Sequence, residues 1–134
     1  MRFVLDVNVL ASALLSRHSA PARLITLWLE GSFELVVSEE LLAELARTLG
    51  YPRVRERVSE EDAAEFIELL RLSASIVTDT PKPPPVSADP DDDYLIALAT
   101  TSASILVSGD RHLLALAPEL PIHPPAEALG LLEP

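Results

Sequence analysis

Short apolar runs alternate with helix-length stretches along nearly the whole chain, and that alternation leaves few folds open. Arg2 to Leu5 is an apolar run closed by Asp6 and Asn8, and it reads as a buried strand. Phe33 to Val37, Ser75 to Thr78 and Ser104 to Val107 read the same way, with Pro121 to His123 as a short edge strand. Between them the spacing predicts helices over Val9 to Ser16, Pro21 to Glu30, a segment from the N-cap Ser38 to about Leu49, a segment from Ser59 through Leu72, and Tyr94 to Ala103. Arg111 to Leu116 and Pro125 to Leu132 complete the set. Strands alternating with helices imply parallel pairing and right-handed crossovers, so the expected fold class is α/β with a parallel sheet of four or five strands.

The 134 residues suit one domain spanning 1–134, long enough to bury roughly two thirds of the unfolded surface. The residues are 49% hydrophobic but only 4% aromatic, so the core is built from Leu, Val, Ile and Ala. The proline-rich stretch from Thr80 to Pro90 is then a stiff surface connection, because too little chain follows it for a second core. Cysteine is absent, which removes disulfides and thiolate metal sites, and His18, His112 and His123 make no zinc pattern. No apolar run has the length of a membrane span and no signal region opens the chain, so the cytoplasm is the default location. A net charge of −11 argues against bulk electrostatic binding of nucleic acid, so such a substrate needs bound metal and local arginines.

In parallel open sheets the ligand site lies beyond the carboxyl ends of the strands. Asp6 and Asp110 both follow strands directly, Glu44 lies on a helix, and Asp89, Asp91, Asp92 and Asp93 open another. Carboxylates repel, so gathering several at one sheet edge points to a divalent cation, and hard oxygen donors favour Mg²⁺ or Mn²⁺. Each acid has a plainer role available. Asp6 and Asp110 suit turn or helix-cap positions, and Glu44 can pair with Arg47 three residues on. Within the Asp cluster Asp92 is the expected ligand, since Leu95, Ile96 and Ala99 align it with a buried helix face. If the first strand ran on, alternation would point Asn8 into the same crevice as Asp6. Arg53, Arg55 and Arg57 form a basic stretch suited to gripping phosphates, or a solvated face balanced by Glu56, Glu60 and Glu61. No phosphate-binding glycine loop or serine nucleophile elbow is present.

The segments FVLDVNVLAS, SEELLAEL with Glu44, DPDDDYLIALA and ILVSGDRHLL, in that order, resemble the PIN domain family from Arg2 to about His123. The likeness is to its small VapC-like members, the toxin components of toxin–antitoxin systems. It implies a three-layer α/β/α fold, a Mg²⁺- or Mn²⁺-dependent endoribonuclease acting on RNA, a homodimer, and a cognate antitoxin as partner. Carried over by position, Asp6, Glu44, Asp92 and Asp110 form the catalytic quartet. Asp6, Asp92 and Asp110 hold metal, with Asn8, Ser108 and Asp93 in support. A silent PIN-like interaction module is the alternative. A phosphoacceptor domain is disfavoured, because the sole lysine, Lys82, lies in the proline-rich connection.

Overall fold

Strands β1 (Arg2–Leu5), β2 (Glu34–Val37), β3 (Ser75–Ile76), β4 (Ile105–Val107) and β5 (Ile122–His123) form one sheet in a computed structural model that describes residues 1–133. Residue 134, the end of the expected domain, lies outside the described residues. All pairings are parallel and the order is β3-β2-β1-β4-β5. The expected parallel α/β fold is present, with five strands.

Helices α1 (Val7–Leu15) and α2 (Ala20–Leu29) join β1 to β2, and α3 (Glu39–Leu49), α4 (Pro52–Arg55) and α5 (Glu60–Ser73) join β2 to β3. The chain then crosses back to α6 (Asp93–Thr101) before β4, with α7 (Arg111–Leu114) leading to β5 and α8 (Pro125–Leu132) last. Right-handed crossovers place helices on opposite faces when the direction of travel along the sheet reverses. Accordingly α1 packs on α2 and α3, and α2 on α8, in one layer, while α6 packs on β1 and β4 from the other. The reversal falls between β1 and β4, and in open sheets of this kind the ligand site lies at the carboxyl edge of such a switch point.

Leu41, Leu42, Leu45 and Leu49 give α3 a fully buried stripe, each side chain contributing on the order of 1.5–3 kcal/mol. Ser38 caps that helix by accepting from the Leu41 N–H at 3.2 Å, and Ser59 caps α5 through Asp62 at 3.0 Å. Phe3 and Phe33 stack tilted at 4.6 Å across β1 and the start of β2. Trp28 is buried in the same core, a packing residue. Gly31, at φ +85°, closes α2 in a left-handed turn, with Ser32 N–H reaching Leu27 O at 2.9 Å.

Several boundaries differ from expectation for local reasons. The first helix starts at Val7, not Val9, because Leu10 N–H already bonds Asp6 O at 3.0 Å. Helix α6 stops at Thr101, since Ala103 takes the left-handed conformation at φ 54° and Ser104 N–H folds back on Ala99 O. A single 3-10 turn, Pro90–Asp92, precedes α6, and the basic stretch contains the short α4 opened by Pro52.

Candidate active site

The parallel ladder itself brings Asp6 and Ser108 together. Leu5 pairs with Val107, and the Asp6 N–H then donates to Val107 O at 2.9 Å, so both strands end side by side. The Ser108 hydroxyl donates to Asp6 Oδ2 at 2.7 Å, and the Asp110 N–H donates to Ser108 Oγ at 3.0 Å. Asp6 is only 7% exposed. It occupies the N-cap position of α1 but makes no side-chain capping bond, so the plain cap role does not account for its carboxylate. Burial raises its pKa above the ordinary carboxylate value, helped by the charges of Glu44 and Asp110, and opposed by the Ser108 hydroxyl and the Val7 backbone.

Asp92 faces the same charges. Its pKa is pushed up to about 6, by burial first and then by Asp6, Asp89, Asp110 and Glu44. Helical phase does not set its place: Asp92 sits in the 3-10 turn before α6, and α6 is buried on every side from Asp93 to Ala99. Its neighbour Asp93 points elsewhere. Asp93 Oδ1 accepts the backbone N–H groups of Val86 and Ser87 at 3.0 and 2.7 Å, pinning the proline-rich strap to the start of α6. Asp89 caps the 3-10 turn through Asp91 N–H at 3.0 Å.

Asp110 combines two duties. Oδ1 caps α7 by accepting from the His112 N–H at 2.8 Å, while its charge reaches Asp6 and Asp92. The exposed His112 ring stands 3.4 Å from that carboxylate. Asn8 is exposed in the first turn of α1, so strand alternation with Asp6 does not apply: the strand ends at Leu5.

Glu44 is not paired with Arg47 in an ion pair. Its Oε2 accepts instead from the hydroxyl of Tyr94, on α6. Tyr94 is 5% exposed, and burial first, then the Glu44 carboxylate, raises its phenol pKa, leaving it a firm donor. Sequence reasoning read Tyr94 only as part of a buried helix. The available signal was its type, because a buried tyrosine needs a partner for its hydroxyl where phenylalanine would not.

The basic stretch lies apart from these groups. Arg57 Nη2 donates to the Leu15 carbonyl, at the end of α1 remote from Asp6, about 13 Å along the helix. Arg55 Nη1 is buried without a hydrogen-bond partner, and Arg53 is exposed.

Among the described residues, no three carboxylate or imidazole groups converge into a ready-made cage for a metal ion. The donor chemistry nevertheless fits a hard divalent cation. Mg²⁺ keeps several waters and is commonly held by one or two carboxylates together with substrate phosphates, so a closed protein cage is not required. Carboxylates held above their usual pKa by burial and each other's charge are the groups a cation relieves.

A parallel α/β domain with an acidic crevice at its switch point defines the class. The chain belongs to the PIN domain family, whose model, described as PIN domain, matches residues 2–112. It is 27% identical over 119 residues to an uncharacterized protein of Methanocaldococcus jannaschii, covering 89% of this chain and 77% of that protein. The fold is similar to the crystal structure of VapBC2 from Rickettsia felis bound to a DNA fragment from their promoter, at TM-score 0.64 and 15% identity, over 91% of this chain and 97% of that one. It is also similar to VapBC-1 from nontypeable Haemophilus influenzae, at TM-score 0.63 and 17% identity, over 94% and 99% of the two chains. Among the described residues no helix is long and apolar enough to cross a membrane.

Proposed function

We propose that this protein is a Mg²⁺- or Mn²⁺-dependent endoribonuclease, the toxin of a toxin–antitoxin pair. The observation that carries the reading is the buried Asp6, held by Ser108 at the β1–β4 switch point and coupled by charge to Glu44, Asp92 and Asp110. Membership of a family whose members are generally nucleases supports it. Asp6, Asp92 and Asp110 are the residues to hold the cation. When bound, the cation neutralises charge on the phosphate oxygens and lowers the pKa of a coordinated water.

The chain's own residues do the rest. Ser108 fixes the rotamer of Asp6 and, through its Oγ, the backbone of the turn that carries Asp110. Asp92 comes from the 3-10 turn that precedes α6. Glu44, with one oxygen engaged by Tyr94, keeps the other free to accept a proton from the attacking water. No side-chain nucleophile is needed. The solved VapBC neighbours pair a toxin-type chain with an antitoxin, and we extend that partnership to this chain, together with a homodimer and an RNA substrate. Asn8, and Arg53, Arg55 and Arg57, remain proposed helpers at the mouth of the site and along the RNA path.

The test is Asp6→Asn, which keeps shape and an acceptor for Ser108 but removes the charge. Cleavage of single-stranded RNA by the purified protein with Mn²⁺ should disappear in the variant and in wild type treated with chelator. Equal cleavage by both proteins overturns the nuclease reading and leaves the silent interaction module.

A further inference from the structure

Tyr94 joins the two helix layers over the carboxyl edge of the sheet. Its backbone belongs to the first turn of α6, two positions beyond Asp92, while Glu44 belongs to the middle of α3, in the layer on the other face. A side-chain hydrogen bond joins them, the Tyr94 hydroxyl donating to Glu44 Oε2. We infer that Tyr94 is a positioning residue for the proposed cleavage reaction, holding the Glu44 carboxylate beside the segment that carries Asp92; the inference rests on the nuclease reading.

Three observations carry it. Glu44 is on the boundary of the apolar stripe of α3, half-buried, with Leu41, Leu45 and Leu49 packed beneath it. A glutamate there has several open rotamers, and its obvious partner on the same helix, Arg47, is not the one it takes. Instead the carboxylate is drawn across the sheet edge by a phenol whose ring is locked in the core, so the donor cannot follow if Glu44 swings away. That pull sets Glu44 beside the segment that carries Asp92, since Glu44, Tyr94, Pro90 and Asp91 line one cavity. Tyr94 also follows directly on Asp93, whose carboxylate ties down the proline-rich strap. One short segment, Asp92 to Tyr94, thus supplies an acid to the crevice, an anchor to the strap and a clamp to Glu44.

A general base works only when its lone pair is aimed, and a displacement of about 1 Å can cost on the order of a hundredfold in rate. Losing one hydroxyl while keeping the ring loosens the carboxylate without removing it. The expected result for Tyr94→Phe is a fall in kcat on the order of tenfold, with KM for RNA unchanged.

The experiment is a double-mutant cycle with a fluorogenic single-stranded RNA and Mn²⁺, using wild type, Tyr94→Phe, Glu44→Gln and the double variant, with Asp6→Asn as the control for the nuclease reading. If Tyr94 acts through Glu44, removing its hydroxyl costs kcat in the wild-type background and nothing further in the Glu44→Gln background. Additive losses, or a Tyr94→Phe protein with wild-type kcat while Asp6→Asn is inactive, overturn the inference and leave the nuclease reading standing. An Asp6→Asn protein that cleaves like wild type overturns that reading instead. Crystal structures of wild type and Tyr94→Phe give a readout independent of turnover: Glu44 should leave its rotamer or spread over several in the variant. A Glu44 side chain that stays in place without the hydroxyl refutes the positioning role whatever the kinetics show.

Discussion

At the scale of single residues, adjacent aspartates in one short segment have different surroundings, and that difference carries a prediction. Asp92 is pushed up to about 6 by burial and four neighbouring acids, whereas Asp93 spends its carboxylate on two backbone N–H groups of the strap. Asp92→Asn should therefore abolish or nearly abolish RNA cleavage. Asp89→Asn and Asp93→Asn should be mild, since an amide oxygen can still accept the same backbone bonds. Rate measurements on the three purified variants check this, and a silent Asp92→Asn beside an inactive Asp93→Asn would reverse the assignment. The sequence made the cluster visible, but the helical phase by which it favoured Asp92 does not apply there. Helical phase cannot decide at a position that precedes the helix in a 3-10 turn, nor on a helix buried all round. Tyr94 was legible only as an apolar residue, because a hydroxyl partner fifty residues away in α3 leaves no local trace.

At the scale of elements, the strand and helix order was readable because the apolar runs are short, separated and differently periodic. What failed were the ends. Asp6 reads as the residue that closes the first strand, and its carbonyl also closes the first turn of α1, so Asn8 turned out helical and exposed. The basic stretch around α4 shows the same limit: three arginines in five positions say nothing of where their heads go. Arg57 is tied to the Leu15 carbonyl and Arg55 is partly buried, so Arg53 is the most available for phosphate. Replacing all three by Gln should weaken RNA binding and lower the slope of log affinity against log salt by about 0.7 for each phosphate that is no longer neutralised. It should also cost on the order of 1 kcal/mol of stability through removal of the Arg57 bond, while the metal response survives. Filter-binding titrations over a range of salt, with melting curves alongside, separate the two effects. An unchanged slope makes the stretch a solvated face.

For the whole molecule, the clustered acids Asp6 and Asp92 contribute to the pH dependence of stability in the metal-free protein. Asp92 and Asp6 both have folded pKa values above their ordinary ones, Asp92 at about 6 against 3.8. Between the unfolded and folded values the native state holds more protons than the unfolded chain, so stability falls as pH rises through that window. The contribution is fully present below about pH 4 and is lost by neutral pH. Acidifying the chelated protein from about pH 7 to about pH 5 should raise its melting temperature, even though the chain as a whole is strongly acidic and general charge relief acts in the same direction. Asp92→Asn separates the two causes. It removes the local share and leaves the general one, so the variant's melting temperature should start higher at pH 7 and rise less on acidification. Mn²⁺ at pH 7 should raise the wild-type melting temperature by an amount that grows with its concentration over the dissociation constant, and should do so far less in Asp92→Asn and Asp6→Asn. Identical pH and Mn²⁺ responses in wild type and both variants would mean that the switch-point carboxylates are ordinary turn and cap residues, and that the charge they share does not serve a cation.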